Sequence, residues 1–176
     1  MMKRIANSVW LIALLMLVAS AAVAQSASGV VNATLINKSG IEITFDTNAS
    51  GVVLGGSGSP AATLAFGNIS AFQPVGAGIT RTTTVNTFTV SSPFNVFVTV
   101  GGVNSPSYRL QARLAAAAGV YTYKVDAITL TTANQNIVAA DTHYDQDVQH
   151  TLFLTVPFTA PAGAVNNTVN FTVTAN

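Results

Sequence analysis

The densest group of ionisable side chains in this 176-residue chain is the run Asp141-Thr142-His143-Tyr144-Asp145-Gln146-Asp147. In an extended backbone successive side chains alternate, so Asp141, His143, Asp145 and Asp147 point to one side, a donor set able to hold a hard divalent cation. As a calcium loop the run is incomplete. It lacks the glycine that such a loop needs for its sharp turn, and no glutamate closes it. The plain alternative is a solvated loop leading into the next strand.

Nucleophilic catalysis has little to work with. The two histidines are His143 and His150, and Ser57 in Gly55-Gly56-Ser57-Gly58-Ser59 lacks the last glycine and the following helix of a nucleophile elbow. The same glycines fit neither phosphate-cradling pattern. Six acidic residues show no spacing that suggests a glycosidase pair. With no cysteine in the chain, thiol catalysis, zinc fingers and iron–sulfur clusters are excluded. The residues therefore point away from an enzyme and imply no cofactor.

The elements that would carry these residues begin after an export signal. Lys3 and Arg4 precede an apolar run at residues 9–19, and Ala22-Val23-Ala24 is a small-residue cleavage signature before Gln25. Residues 1–24 thus have the three parts of a secretory signal peptide, and the run falls short of the roughly 20 apolar residues a spanning helix needs. After cleavage no segment is expected in the membrane, and the protein is expected outside the cell or at its surface, by way of the periplasm in a Gram-negative host. Charged residues make up only 7% of the chain while hydrophobic ones make up 49%. That balance excludes disorder, and the absence of a basic stripe excludes nucleic acid as a partner.

The remaining chain alternates with a period of two. Ile41, Ile43 and Phe45 oppose Glu42, Thr44 and Asp46; Leu152, Leu154 and Val156 oppose Thr151, Phe153 and Thr155; Val169, Phe171 and Val173 alternate with Thr168, Asn170, Thr172 and Thr174. These are half-buried strands. Further strands are expected at 51–54, 62–67, 82–90, 94–100 (split from the last by Ser91-Ser92-Pro93), 121–131 and 137–139. Residues 108–118 fit both a helix and a strand. The flanking strands decide for a strand, with the alanines in a turn or short helical connection. Strands punctuated by Gly, Pro and Asn about every dozen residues predict an all-β, antiparallel sandwich of one domain over 37–176. Residues 25–36 form a separate N-terminal extension in which Val31, Ala33 and Leu35 alternate with Asn32 and Thr34.

Leu64-Ala65-Phe66-Gly67, the closing Thr/Val strand after a Val156-Pro157 and Pro161-Ala162-Gly163 connection, the signal peptide and the alternating N-terminal segment together resemble bacterial pilus subunits of the chaperone–usher type. The spore coat protein U-like subunits are the most similar. The resemblance implies an immunoglobulin-like sandwich lacking one strand, supplied by the extension of the next subunit. Residues 29–36 would be the donor, with Val31, Ala33 and Leu35 facing inward at the subunit interface. It also implies self-association into fibres, a periplasmic chaperone and an outer-membrane usher. The alternatives are that the extension pairs within its own domain, and that the protein is a monomeric module binding a glycan or a surface protein. The only tryptophan, Trp10, lies in the signal peptide, which counts against a sugar-binding face.

Overall fold

A computed structural model describes residues 40–102 and 104–176; the signal peptide and the extension with Val31, Ala33 and Leu35 lie outside them. The described residues contain no helix. Their strands are β1 (Gly40–Asp46), β2 (Thr80–Thr83), β3 (Thr87–Gly101), β4 (Tyr108–Leu114), β5 (Thr122–Val125), β6 (Ile128–Thr129), β7 (Gln135–Asp141), β8 (Asp147–Pro157) and β9 (Val169–Ala175). They form two antiparallel sheets, one ordered β1-β3-β8-β5-β6 with β2 also on β3, the other β7-β4-β9.

The alternation in sequence explains the layering. On β3, Phe88, Val90, Phe94, Val96 and Val98 turn inward, and Tyr108, Leu110, Ala112 and Leu114 do the same on β4; all are buried in one core between the sheets. Outward-facing Thr89 and Thr155 bridge β3 and β8 through their hydroxyls at 2.8 Å. The result is a sandwich-like all-β domain, as the alternation predicts. The ambiguous segment is a strand over Tyr108–Leu114.

Four expectations fail, most of them for a local reason. Pro93 does not split a strand: β3 runs through it, paired with β8 on one side. On its other side β2 pairs with residues 88–91 and β1 with residues 95–101. Pro93 therefore stands in the gap between two neighbours, where a missing N–H costs no ladder bond. The gap is filled by the chain at Gly51 and Val52, whose backbone N–H donates to the Ser92 hydroxyl at 2.9 Å. A Cβ on Gly51 would lie 2.0 Å from the Pro93 carbonyl oxygen, so glycine is required there.

The run 82–90 turns at Val85-Asn86, closed by Thr84 N–H donating to the Thr87 carbonyl at 2.8 Å. The run 121–131 folds into the β5–β6 hairpin at Asp126, whose φ of 52° is tolerated by a short polar side chain. Residues 51–54 and 62–67 form no strand, only the isolated bridge between Gly55 and Thr63.

Candidate functional site

Among the described residues, one side of the sandwich is stitched by backbone and the other is not. Beside β6 the chain crosses between sheets, and the Leu114 N–H donates to the Thr131 carbonyl at 2.8 Å. On the opposite side β1 ends one sheet and β9 ends the other.

Hydrogen-bond phase shows what these two end strands present. Ala115 N–H donates to Thr168 O at 2.8 Å and Asn176 N–H to Ser107 O at 2.9 Å. With the β4–β9 register, this assigns Asn170, Thr172 and Thr174 to the bonds with β4. Val169, Phe171, Val173 and Ala175 then direct their N–H and C=O groups away from it. On β1, Phe45 bonds Gly58 and Ser59 on the side away from β3, so Ile41 and Ile43 share that outward phase. Among the described residues no strand lies between the two edges.

The side chains beneath are apolar and only partly covered. Ile41, Ile43, Phe45, Val169, Phe171 and Val173 pack on the core without being buried in it. Phe45 and Phe171 meet at 5.1 Å between ring centroids, and Phe94 lies 6.0 Å from Phe171 behind them. Beside these rings a cavity of about 310 Å³ opens, lined by Leu54, Leu64, Phe66, Leu154 and Val169. Its rim carries the polar Asn166, Asn167 and Thr168. An exposed β edge above an apolar trough can accept one more strand: the backbone groups give bonds, and alternate side chains fill the trough.

The acidic run is arranged differently from a metal cage. The Asp141 carboxylate accepts the His143 backbone N–H at 2.9 Å and meets His143 Nδ1 at 2.5 Å. Burial would raise the Asp141 carboxyl, but the His143 contacts outweigh it and hold its pKa below the ordinary value. Asp145 occupies a left-handed turn, its N–H donating to Val98 O at 2.9 Å, and Asp147 opens β8 opposite Phe97. Asp141 and His143 thus come together. Among the described residues no three His, Asp or Glu side chains are gathered to hold a metal ion.

Tyr108 and Tyr144 meet near this pair with their rings tilted by 57° and their centroids 5.1 Å apart. The Tyr108 hydroxyl is buried near Asp141, and burial, followed by the charge of Asp141, pushes its pKa far upward.

A second acid–imidazole pair escaped the sequence. His150, 3% exposed, places Nδ1 2.7 Å from an Asp126 oxygen. The other Asp126 oxygen accepts the Thr151 N–H at 2.8 Å. Burial would raise the Asp126 carboxyl, yet the bonds from His150 and Thr151 prevail and lower it. The pair clamps the β5–β6 turn to β8. Its one sequence signal is phase: His150 falls in step with Leu152 and Leu154 on the inward face of β8. No family model matches this chain, nor does any curated protein or solved structure.

Proposed function

We propose that the chain is a structural subunit of an extracellular fibre in which residues 29–36 of one copy lie as a strand in the β1–β9 seam of another. The observation that carries this is the outward-directed backbone of Val169, Phe171, Val173 and Ala175 above a partly covered apolar trough. Such an edge invites aggregation unless something covers it. Residues 29–36 suit it in length and pattern. Eight extended residues span roughly 26 Å at about 3.3 Å each, and β9 is 7 residues long. Val31, Ala33 and Leu35 supply one apolar face.

The added strand would complete an immunoglobulin-like sandwich, held by backbone bonds rather than disulfides in a chain with no cysteine. A chaperone would hold the edge during export and an usher would order its exchange for the donor. The subunit's work is contact rather than catalysis.

Deleting residues 25–36 tests the proposal. The truncated protein is expected to form no filaments in electron micrographs. A synthetic peptide of residues 29–36 should then raise its melting temperature by binding the folded state. A truncated chain that is as stable and monodisperse as the full one, and indifferent to the peptide, would overturn it.

A further inference from the structure

The outer faces of the two sheets carry opposite charge. On β4, Tyr108, Leu110, Ala112 and Leu114 turn into the core, so Arg109, Gln111 and Arg113 face out. Asn170, Thr172 and Thr174 of β9 lie opposite them in register, and Gln111 Nε2 donates to Asn136 Oδ1 of β7 at 2.8 Å. The one acid on these three strands is Asp141, buried opposite the inward Tyr108. Neither arginine takes part in the ion pairs between described residues, which join Asp141 to His143 and Asp126 to His150. Arg109 is half-buried, and its Nε has no hydrogen-bond partner. This face therefore sets two guanidinium groups among neutral polar side chains.

The large sheet shows the reverse. On β3, Val96 and Val98 are buried, so Asn95, Phe97 and Thr99 face out. Asp46 shares the Asn95 row with Gln149, and Asp147 shares the Phe97 row with Thr44. Asp147 is exposed, and Asp46 Oδ1 accepts the Ser57 hydroxyl at 3.2 Å. Lys124, on the same face, sits opposite Phe153, about 20 Å along β8 from Asp147.

We infer that the arginine face of one copy docks on this acidic corner of a second copy. The spacing of the charges matches. Arg109 and Arg113 stand four residues apart on one strand, about 13 Å when extended. Asp46 and Asp147 are separated by two strand spacings and two residues, about 12 Å on the diagonal. Sheets stack about 10 Å apart, a gap that an arginine side chain crosses. Phe97 adds a second feature suited to arginine. Its outward position beside Asp147 offers a flat flank on which a guanidinium can lie while it bonds the carboxylate.

The two outer faces belong to opposite sides of one sandwich, since both inner faces pack on the same core. The contact thus joins unlike surfaces and can repeat from copy to copy. It uses neither the β1–β9 seam nor residues 29–36, so it stands apart from strand donation. Exposed ion pairs each add little, which makes the contact labile to salt and strongest where many copies are held in a row.

Thr172→Cys with Gln149→Cys, in a chain otherwise free of cysteine, puts one thiol on each outer face. Within one copy these thiols point away from each other. At low ionic strength a short bis-maleimide should give a ladder of covalent multimers. The ladder should fade in roughly 1 M sodium chloride, where the Debye length is about 3 Å. Arg109→Glu with Arg113→Glu should abolish it, and adding Asp46→Arg with Asp147→Arg, which restores the net charge, should bring it back. No ladder at low salt, or one that survives both salt and the arginine reversal, overturns the contact. The salt series on the unreversed chain decides the matter if the reversal disturbs β4. If no ladder forms, yet immobilised heparin retains the unreversed chain and releases the Arg109→Glu, Arg113→Glu variant, the face serves an acidic polysaccharide and the second copy is ruled out.

Discussion

The two flanks of the sandwich are built from the same kinds of residue and end differently. On the β6 flank the chain crosses from one sheet to the other, with Leu114 and Thr131 bonded across the corner, and on the inner strands Val90, Val96, Val98, Tyr108 and Leu110 are wholly buried. On the β1–β9 flank valine, isoleucine and phenylalanine alternate as regularly, yet none is fully covered. Apolar alternation therefore identifies a strand but leaves open whether its partner comes from the same domain. Closure depends on what the chain does between strands, where a crossing connection seals one flank and nothing among the described residues seals the other.

The contrast can be broken or sharpened by substitution. Leu110→Ala, in the closed half, should lose about 2–5 kcal/mol in urea unfolding, because a packed site cannot collapse around the missing atoms. Gly51→Ala should cost about 1–3 kcal/mol, since its Cβ would drive the filler strap off Pro93. Val173→Ala, on the open flank, should cost about 1 kcal/mol or less in the isolated domain. With the 29–36 peptide bound, the Val173→Ala loss should grow toward the Leu110→Ala value. Equal losses at 110 and 173 without the peptide would erase the distinction between the flanks.

The smallest effect concerns acid. Asp126 and Asp141 both have carboxyls lowered from 3.8, so each contributes stability that is complete above that value. That stability drains away as pH falls through their depressed folded values, because the unfolded chain binds the protons first. Asp126→Asn should make the acid limb shallower in thermal melts below about pH 4, with little change on the open flank. An unchanged limb would mean that the hairpin clamp carries no pH dependence. The side chain of Asp126 is 42% exposed, and solvent screening keeps its share modest.

Much of this architecture was legible in the sequence, and the exceptions have physical causes. The strands at 41–46, 108–114, 148–157 and 169–175 were readable because each has neighbours that punish a slip of phase. Pro93 misled because proline is read as a break only when both edges of a strand need bonds, and here one edge is vacant for three residues. Asp126 misled because a hairpin usually advertises itself with glycine or asparagine, and aspartate entered the left-handed region instead. The acids at 141–147 share a phase in an extended chain, but the turn at Asp145 destroys that phase. Asp126 and His150 lie 24 residues apart, so only the pairing of β5 with β8 brings them together.

The strap at Gly51 closes an edge that the strand pattern alone would leave open. Where β2 stops and β1 has not begun, β3 would offer a foreign strand a second foothold. Pro93 presents no donor there, and the chain at Gly51 already lies across the opening. A visiting strand is thereby refused at this entrance of the large sheet, whose edge is sealed by the chain's own backbone.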